Sequence, residues 1–448
     1  MTTNVIKVFF CLNFLSLLGY NNTERKSFMD YKKIIKDNYT LHLIKTDRFK
    51  TINIGLKLTK EYNKEEFAYL NLLARVLPIN GTKNYKTVND ITKKLESLYN
   101  TGIYFKSLQT SKNMSFEASL RIVNPKYTEI SMYKESISML KEIITNPLIK
   151  NNEFNYFDVT KNNLINNIKN IKDNLSVYSS LKFNEIFYKG TIYEENSLKN
   201  LSLYEKLTNK NMYKYYLKLF NSFKIDVFVI GDYLEDEILS NVDDLLKDFR
   251  QKDTSSKELY ISFNPKKSKD KDKFTSTQSS LLVGLTINDL TEEEKFYTLL
   301  LYNTILGSMN NSVLFVNVRE KNSLCYHISS TISKYTSSII INSGINKTNY
   351  EKAVSLIEES LKSMTDEKMV NGLITNAKKT LNLAFNDFYE NPAKIVGYYY
   401  LKEFDEVKSI EERREKINNL TSKEISSLAK KVQIKEIFLM EGVNSEEN

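Results

Sequence analysis

Two histidines and two cysteines are the only side chains in the sequence that offer the nitrogen and sulfur ligands of most zinc centres. His42 and His327 are far apart, and neither has a second histidine four residues away, the spacing that places two imidazoles on one helix face. Cys11 and Cys325 are too few for a multi-cysteine zinc or iron–sulfur site, or for a disulfide framework. The chain therefore lacks the residues of a histidine-built or cysteine-built metal centre.

The same side chains give little indication of other chemistry. His42 lies in a segment of alternating polarity, and we interpret both histidines as surface or packing residues. Cys325 has no helix start or paired base that would lower its pKa, although His327 is close in sequence, so we predict a structural role for it.

The net charge of +9 comes mostly from lysine, since only eight of the 64 basic residues are arginine. Recognition of phosphate by planar, bidentate contacts favours arginine. A composition rich in lysine, asparagine and isoleucine is more simply explained by an AT-rich genome, and no basic–aromatic motif accompanies it. We therefore expect no nucleic-acid partner.

The N-terminal segment 5–20 is apolar but falls short of the ~18–20 apolar residues that span a bilayer. Lys7 is its only basic residue, and no small-residue cleavage site follows it. We interpret residues 1–28 as an extension ahead of Met29 or a loose tail, with a weak signal or membrane anchor as the alternative. The expected location is the cytoplasm, without membrane contact.

An internal repeat relates residues 54–77 to residues 283–306 without a gap. Each copy is typical of a short strand, an acidic turn and an amphipathic helix with Glu in its first turn, where a carboxylate suits the helix dipole. The ends of the two halves, 225–232 and 436–442, are also similar buried-strand patterns. The identical pairs are Gly55/Gly284, Leu56/Leu285, Glu65/Glu294, Phe67/Phe296, Leu70/Leu299, Leu72/Leu301 and Leu77/Leu306.

These patterns predict an α+β protein of two similar halves, each with strands and helices in alternation. We place the N-terminal domain at 29–249, a polar and charged linker at 250–273, and the C-terminal domain at 274–448. In the first half, Tyr39–Lys45 and Thr51–Thr59 are predicted to form a hairpin, and 87–99, 127–145 and 154–173 are predicted helices. In the second, 338–343 is a predicted strand, and 350–364 and 370–389 are predicted helices.

The segment from Ile305 to Ser330 resembles a signature of the insulinase/pitrilysin metallopeptidases, the inverzincins: a Gly-containing loop followed by Arg-Glu-x-x-x-Leu-x-Tyr, here Arg319 to Tyr326. The family often has Gly where this chain has Ser323. The resemblance covers about 38–443 and implies two homologous halves of the LuxS/metallopeptidase-like fold, each an antiparallel-rich sheet with helices packed on it. Together with 77–102, it is similar to a non-catalytic bacterial branch associated with the 5-aminopentanol modification of elongation factor P, which occurs with a zinc-bearing paralogue.

Active members of that family carry His-x-x-Glu-His on the helix before a Gly-Thr pair, which is Gly81-Thr82 here. The two histidine positions of this chain hold Leu72 and Val76, and the position of the general base holds Arg75. Leu and Val have no lone pairs for zinc, and arginine stays protonated at any relevant pH. The third ligand should be a Glu on the helix within 154–173, which contains none; Glu153 just ahead of it is a possible remnant, but it would not hold zinc alone.

The resemblance implies that this chain contributes to substrate binding and not to catalysis. In paired members, the Arg and Tyr of the non-zinc subunit, here Arg319 and Tyr326, reach into the partner's active site, where a guanidinium and a phenol can donate to a developing negative charge. A salt-bridged arginine and a core tyrosine are the alternative. The family's chamber-lining loop corresponds to Gly307 and Ser308, for which an ordinary turn is the alternative.

We therefore expect a catalytically silent subunit that forms a heterodimer with a zinc-bearing homologue and encloses a peptide or protein segment. No cofactor is expected on this chain, and zinc is expected on the partner. The substrate would be held partly by strand addition to an exposed sheet edge. Two alternatives remain open: a non-peptidase scaffold that supports a modification enzyme, and an independent metallopeptidase with atypical ligands.

Overall fold

The computed structural model describes residues 29–443, in which each half forms a β-sheet covered by helices. This confirms the predicted α+β class. The strands of the first half are β1 (Asp30–Ile35), β2 (Thr40–Lys45), β3 (Thr51–Glu61), β4 (Gly102–Thr110), β5 (Asn113–Val123), β6 (Ile149–Lys150), β7 (Glu153–Phe154) and β8 (Lys224–Gly231). Its helices are α1 (Lys64–Val76), α2 (Val88–Ser97), α3 (Met132–Thr145), α4 (Phe157–Lys169), α5 (Leu175–Phe187), α6 (Leu201–Lys206), α7 (Asn209–Leu219) and α8 (Glu235–Leu246).

The second half begins with β9, and three of its helical segments have π-type hydrogen bonding. The strands are β9 (Ser268–Thr275), β10 (Ser279–Ile287), β11 (Cys325–Ser333), β12 (Ser338–Ile345) and β13 (Val432–Val443). The α-helices are α9 (Leu299–Asn303), α10 (Tyr350–Ser363), α11 (Glu367–Tyr389), α12 (Pro392–Leu401), α13 (Ile410–Asn419) and α14 (Ser422–Ala429). The π-type segments are Glu294–Thr298, Thr304–Ser308 and Phe315–Glu320.

The two sheets have matching strand orders, which supports the internal repeat. The first sheet runs β1-β2-β8-β3-β5-β4, and the second, in the opposite direction of listing, runs β9-β13-β10-β12-β11. In both, the repeated strand (β3 or β10) is central, and the last strand of the half (β8 or β13) pairs beside it in an antiparallel manner. That last strand also has a parallel neighbour, β2 or β9. The two halves are therefore structurally equivalent in their core topology.

The predicted hairpin of β2 and β3 is wrong, because β8 lies between the two strands. β2 pairs with β8 in a parallel arrangement, and β8 pairs in turn with β3. Every residue of β8 is buried, as expected for a central strand covered on both faces. Two strands joined by a short turn suggest local pairing, and nothing local in the sequence indicates that a distant strand inserts between them.

β9 begins inside the segment 250–273 that the sequence analysis treats as a linker. Its alternating Lys and Asp residues leave most of the strand exposed. It lies at the edge of the second sheet, where it pairs only with β13, and charged residues are common on such edges. A polar segment can therefore form a strand here without an apolar pattern.

Each half covers one face of the other half's sheet with a helix. From the first half, Phe183 and Phe187 of α5 pack with Leu282, Phe438 and Met440 of the second sheet. From the second half, Ile395 of α12 packs with Ile44 and Ile230 of the first sheet. These reciprocal contacts cover part of the second face of each sheet and join the two halves.

Two glycines at equivalent positions of the repeat give a matched test of this packing. A Cβ at Gly284 would lie 2.5 Å from the ring of Phe187, whereas a Cβ at Gly55 would have no atom within 4 Å. We expect Gly284→Ala to lower the free energy of unfolding by about 1–3 kcal/mol, as overpacking does. Gly55→Ala should have a much smaller effect, and urea denaturation of both variants measures the difference. Equal effects would contradict the packing of α5 on the second sheet.

Residues 1–28 lie outside the described part of the chain, so the interpretation of them as an extension, signal or anchor stays a prediction. Within 29–443, no helix combines the length and apolar character that a membrane crossing requires.

Candidate functional site

The positions that carry the zinc ligands in active inverzincins belong to the hydrophobic core in this chain. Leu72 and Val76 on α1 are both 0% exposed and join the main cluster of the first half. Arg75 points to the surface, where its Nε donates to Asn71 Oδ1 at 3.1 Å. The helix α1 packs against α4, α6 and α7. The donor set therefore does not fit zinc.

No carboxylate compensates for the missing imidazoles. α4 contains no glutamate, as the sequence analysis found. Glu153 lies in the short strand β7, half-buried, and belongs to no group of three possible metal ligands among residues 29–443. The third zinc ligand of the resembling family therefore has no counterpart on α4.

The described residues contain one group of three potential metal ligands, formed by His42, Asp226 and Glu403 at the contact between the halves. His42 Nε2 lies 3.1 Å from Asp226 Oδ1, and both side chains are 0% exposed. The Nζ of Lys224 lies 3.0 Å from Asp226 Oδ2 and 3.0 Å from Glu403 Oε2. A lysine ammonium thus supplies the positive charge that a metal ion would otherwise bring, and the group is an internal ion network.

The environment of this network agrees with the interpretation of His42 as a packing residue. Its ring stacks on Phe228 with 4.2 Å between centroids, and its Nδ1 shares a 2.9 Å hydrogen bond with Tyr31 Oη. Burial alone would raise the pKa of Glu403, but the ammonium groups of Lys33 and Lys224 outweigh burial and lower it. Glu403 is therefore ionised, and the network joins the first sheet to the segment after α12.

The sequence analysis did not identify this network, although the sequence contains one indication of it. Asp226 is a single acidic residue inside the apolar run 225–231, where a buried charge needs a partner. Its partner Glu403 could not be identified from the sequence, because Glu403 comes from the other half of the chain.

Arg319 and Tyr326 lie on neighbouring elements and both are exposed. Arg319 is in the Phe315–Glu320 segment, and its guanidinium lies 4.9 Å from the ring centroid of Phe315. Within residues 29–443 no carboxylate is within ion-pair distance of it. The Phe315–Glu320 segment packs directly against β11, the strand that carries Tyr326.

Tyr326 occupies a distinctive position at the start of edge strand β11. Cys325 pairs with Ile345 and His327 with Gly344, so Tyr326 is the extra residue of a β-bulge. A bulge redirects a side chain and increases local twist. The Tyr326 side chain is 69% exposed, and a core tyrosine at this position is therefore not what the structure shows.

Cys325 and His327, which flank Tyr326, form no catalytic pair. Burial raises the pKa of the Cys325 thiol, and the hydrogen bond with Ser343 and the charge of Arg319 only partly counteract this. A raised pKa keeps the thiol protonated and weakly nucleophilic at neutral pH. The ring of His327 contacts Asn342 Oδ1 through Nε2 at 3.2 Å instead.

Gly307 and Ser308 end the helical segment Thr304–Ser308. Gly307 is buried, and a Cβ there would lie 2.4 Å from Ser330 Oγ on β11, so the close approach of helix and strand requires glycine. Ser308 is exposed. A role of these residues in lining a chamber stays a prediction.

Ser323 has φ +51°, in the left-handed region that favours glycine, and this is where the resembling family often has Gly. We expect Ser323→Gly to raise the free energy of unfolding by about 1 kcal/mol, because the strain of a Cβ in this conformation is removed. Ser329→Gly, at an exposed position within β11, is the control and should instead destabilise the protein. Thermal unfolding of the two variants measures both effects; a destabilising Ser323→Gly would contradict the described turn.

Comparisons with known proteins find a family model, a relative and solved structures that are similar to this chain. Residues 206–381 match the family model described as "Peptidase M16 inactive domain". The "probable inactive metalloprotease YmfF" of Bacillus subtilis (strain 168) is 23% identical over 425 residues, which cover 92% of this chain and 99% of that protein. A conserved protein from Enterococcus faecalis V583 has a similar structure, with a TM-score of 0.85, 24% identity, and coverage of 93% and 99%. The structure of a peptidase M16 inactive domain from Pseudomonas fluorescens has a TM-score of 0.73, 16% identity, and coverage of 92% and 98%.

Proposed function

We propose that this chain, an inactive member of the insulinase (M16) family, pairs with a zinc-bearing homologue and supplies part of the wall of a peptide-processing chamber. The zinc and the general base would come from the homologue. The substrate would be a peptide or an unfolded protein segment. Arg319 and Tyr326 of this chain would bind substrate carbonyls or the negative charge that develops during cleavage.

The observation that carries the proposal is the exposed Tyr326, in a bulge at the start of edge strand β11, beside an arginine without a carboxylate partner in the described chain. Structural tyrosines and arginines normally have their polar groups satisfied by neighbours. A guanidinium and a phenol that both face solvent at one sheet edge are free to bind an external oxygen. β11 also offers unpaired backbone groups, so an extended peptide could add to the sheet there.

Co-expression with the zinc-bearing homologue of the same organism tests the proposal. We expect the two chains to co-purify and to cleave peptides that neither cleaves alone. Failure to associate with the homologue would refute the proposal.

Variants of the two residues separate pairing from substrate binding. We expect Arg319→Ala and Tyr326→Phe each to lower kcat/KM of the pair by about tenfold, because each variant loses one charge-assisted or buried hydrogen bond to the substrate. Co-purification of the two chains should be retained. Arg121→Ala and Tyr127→Phe are matched controls at exposed positions elsewhere and should leave kcat/KM unchanged. Unchanged kcat/KM in the first two variants would assign the chain to a scaffold role, such as support of a protein-modification enzyme.

A further inference from the structure

A second surface feature is a cleft of about 740 Å³ in the second half, at its contact with the first. Its walls come mainly from the end of α11, α12, the start of α13 and the segment Glu294–Thr298, with Lys57 of β3 at its border with the first half. Such a volume lies in the usual range of small-molecule sites, roughly 300–1,000 Å³. Neither Arg319 nor Tyr326 lines the cleft, although Lys334, which does, lies eight residues after Tyr326.

The walls combine an apolar interior with an excess of positive charge. Apolar side chains such as Leu381, Phe385 and Ile410, each less than a tenth exposed, form the interior. Among the described lining residues there are six cations and no carboxylate. Four of the six have a close acidic partner outside the cleft; Lys334 has a more distant one, and Arg413 has none within ion-pair distance among the described residues. The four pairs are Lys57–Glu117, Lys295–Glu292, Lys394–Asp387 and Lys408–Glu406.

Lys334 and Arg413 are poorly neutralised. The Nζ of Lys334 lies 3.8 Å from Asp405 Oδ2, at the limit of an ion pair. In the described chain Arg413 has no carboxylate within ion-pair distance, and its guanidinium lies 5.8 Å from the ring centroid of Phe385. Burial lowers the pKa of both groups; for Lys334, the carboxylate of Asp405 partly opposes this and the charge of Arg413 adds to it. Two partly buried cations that repel each other favour an anion between them.

We propose that the cleft binds a single-chain aliphatic carboxylate, of the fatty-acid type, with its tail against Leu381, Phe385 and Ile410 and its carboxylate between Arg413 and Lys334. The planar guanidinium suits a carboxylate because it can donate two parallel hydrogen bonds. The apolar walls exclude a compact hydrophilic anion such as phosphate, which would have to give up hydration without compensation. Charge and shape together thus select an amphiphilic anion.

Calorimetric titration of the full chain with sodium decanoate, below its micellar concentration, tests the proposal. We expect one decanoate per chain, with decan-1-ol binding at least about tenfold more weakly, because it lacks the charge-assisted hydrogen bonds. No binding of decanoate, or equal binding of decan-1-ol, would refute the proposal. Anionic phospholipid vesicles should be tested as a second ligand. Binding to vesicles without binding of monomeric decanoate would assign the cations to contact with a membrane surface and would also refute the proposal.

Two neighbouring arginines provide a matched pair of variants. Arg413→Gln should weaken decanoate binding about tenfold and leave decan-1-ol binding unchanged. Arg414→Gln should leave both unchanged, since its Nη2 donates to Asn386 Oδ1 at 2.8 Å outside the cleft. Ala384→Trp, at an exposed lining position, should block both ligands. Wild-type affinity for decanoate in a folded Arg413→Gln variant, or in Lys334→Gln if the first does not fold, would contradict the assigned site.

Discussion

Replacing Asp226 with alanine is expected to lower the free energy of unfolding by about 3–5 kcal/mol, the usual effect of removing one partner from a buried ion pair. Asp226 is 0% exposed and accepts contacts from His42 and Lys224. Without it, the buried ammonium of Lys224 would keep only Glu403 as a charged partner. Urea denaturation followed by circular dichroism measures the effect.

Asp248→Ala is the control for this prediction, since Asp248 is exposed and forms no ion pair within the described residues. Its effect should stay within about 0.5 kcal/mol, as for most surface substitutions. If the two substitutions destabilised the chain equally, the network would not join the two halves in the way described. Glu403→Gln, on the other half, should destabilise in the same direction as Asp226→Ala.

Phe187→Ala should destabilise the chain by a similar amount, about 3–5 kcal/mol, because it leaves a cavity between α5 and the second sheet. Phe187 is 1% exposed, and its ring contacts those of Phe183, Tyr188 and Phe263 with centroids 4.8–5.1 Å apart. The loss would affect the contact between the halves, since α5 belongs to the first half and the sheet to the second.

Val177→Ala on the same helix is the control, because Val177 is 44% exposed and its truncation removes little buried surface. We expect a change of about 0.5 kcal/mol or less for it. A Phe187→Ala variant as stable as Val177→Ala would mean that α5 does not pack on the second sheet. Limited proteolysis between residues 188 and 268 would additionally report whether the halves separate in the Phe187 variant.

The local elements could be predicted from the sequence because their apolar periodicity is local. The predicted strand 338–343 lies within β12, and the predicted helices 350–364 and 370–389 are α10 and α11 with small shifts of their ends. The repeat of 54–77 in 283–306 also predicted equivalent halves, which the strand orders confirm.

Non-local pairing could not be predicted in the same way. The sequence analysis paired β2 with β3, but β8 lies between them, and the distance along the chain to β8 gives no local signal. The packing of α5 and α12 on the sheet of the opposite half could not be predicted either. An aromatic residue such as Phe187 indicates that a helix has an apolar face, but it does not indicate which sheet that face covers.

For the candidate functional site as well, features set by local sequence could be predicted and features set by non-local pairing could not. The apolar residues at the family's zinc-ligand positions, Leu72 and Val76, could be identified from the sequence because the family resemblance places both positions on one helix. The exposure of Tyr326 could not, because the bulge depends on how β11 pairs with β12. The network of Asp226, Lys224 and Glu403 needed the fold, since its members come from both halves.

The central claim is that this chain holds no catalytic metal, because core side chains occupy the positions of the ligands. Metal analysis of the full chain, purified alone from zinc-supplemented medium and dialysed without chelator, tests it most directly. The account predicts far less than one zinc per chain and no peptide cleavage. One tightly held zinc per chain, together with unaided cleavage that a chelator abolishes, would contradict it.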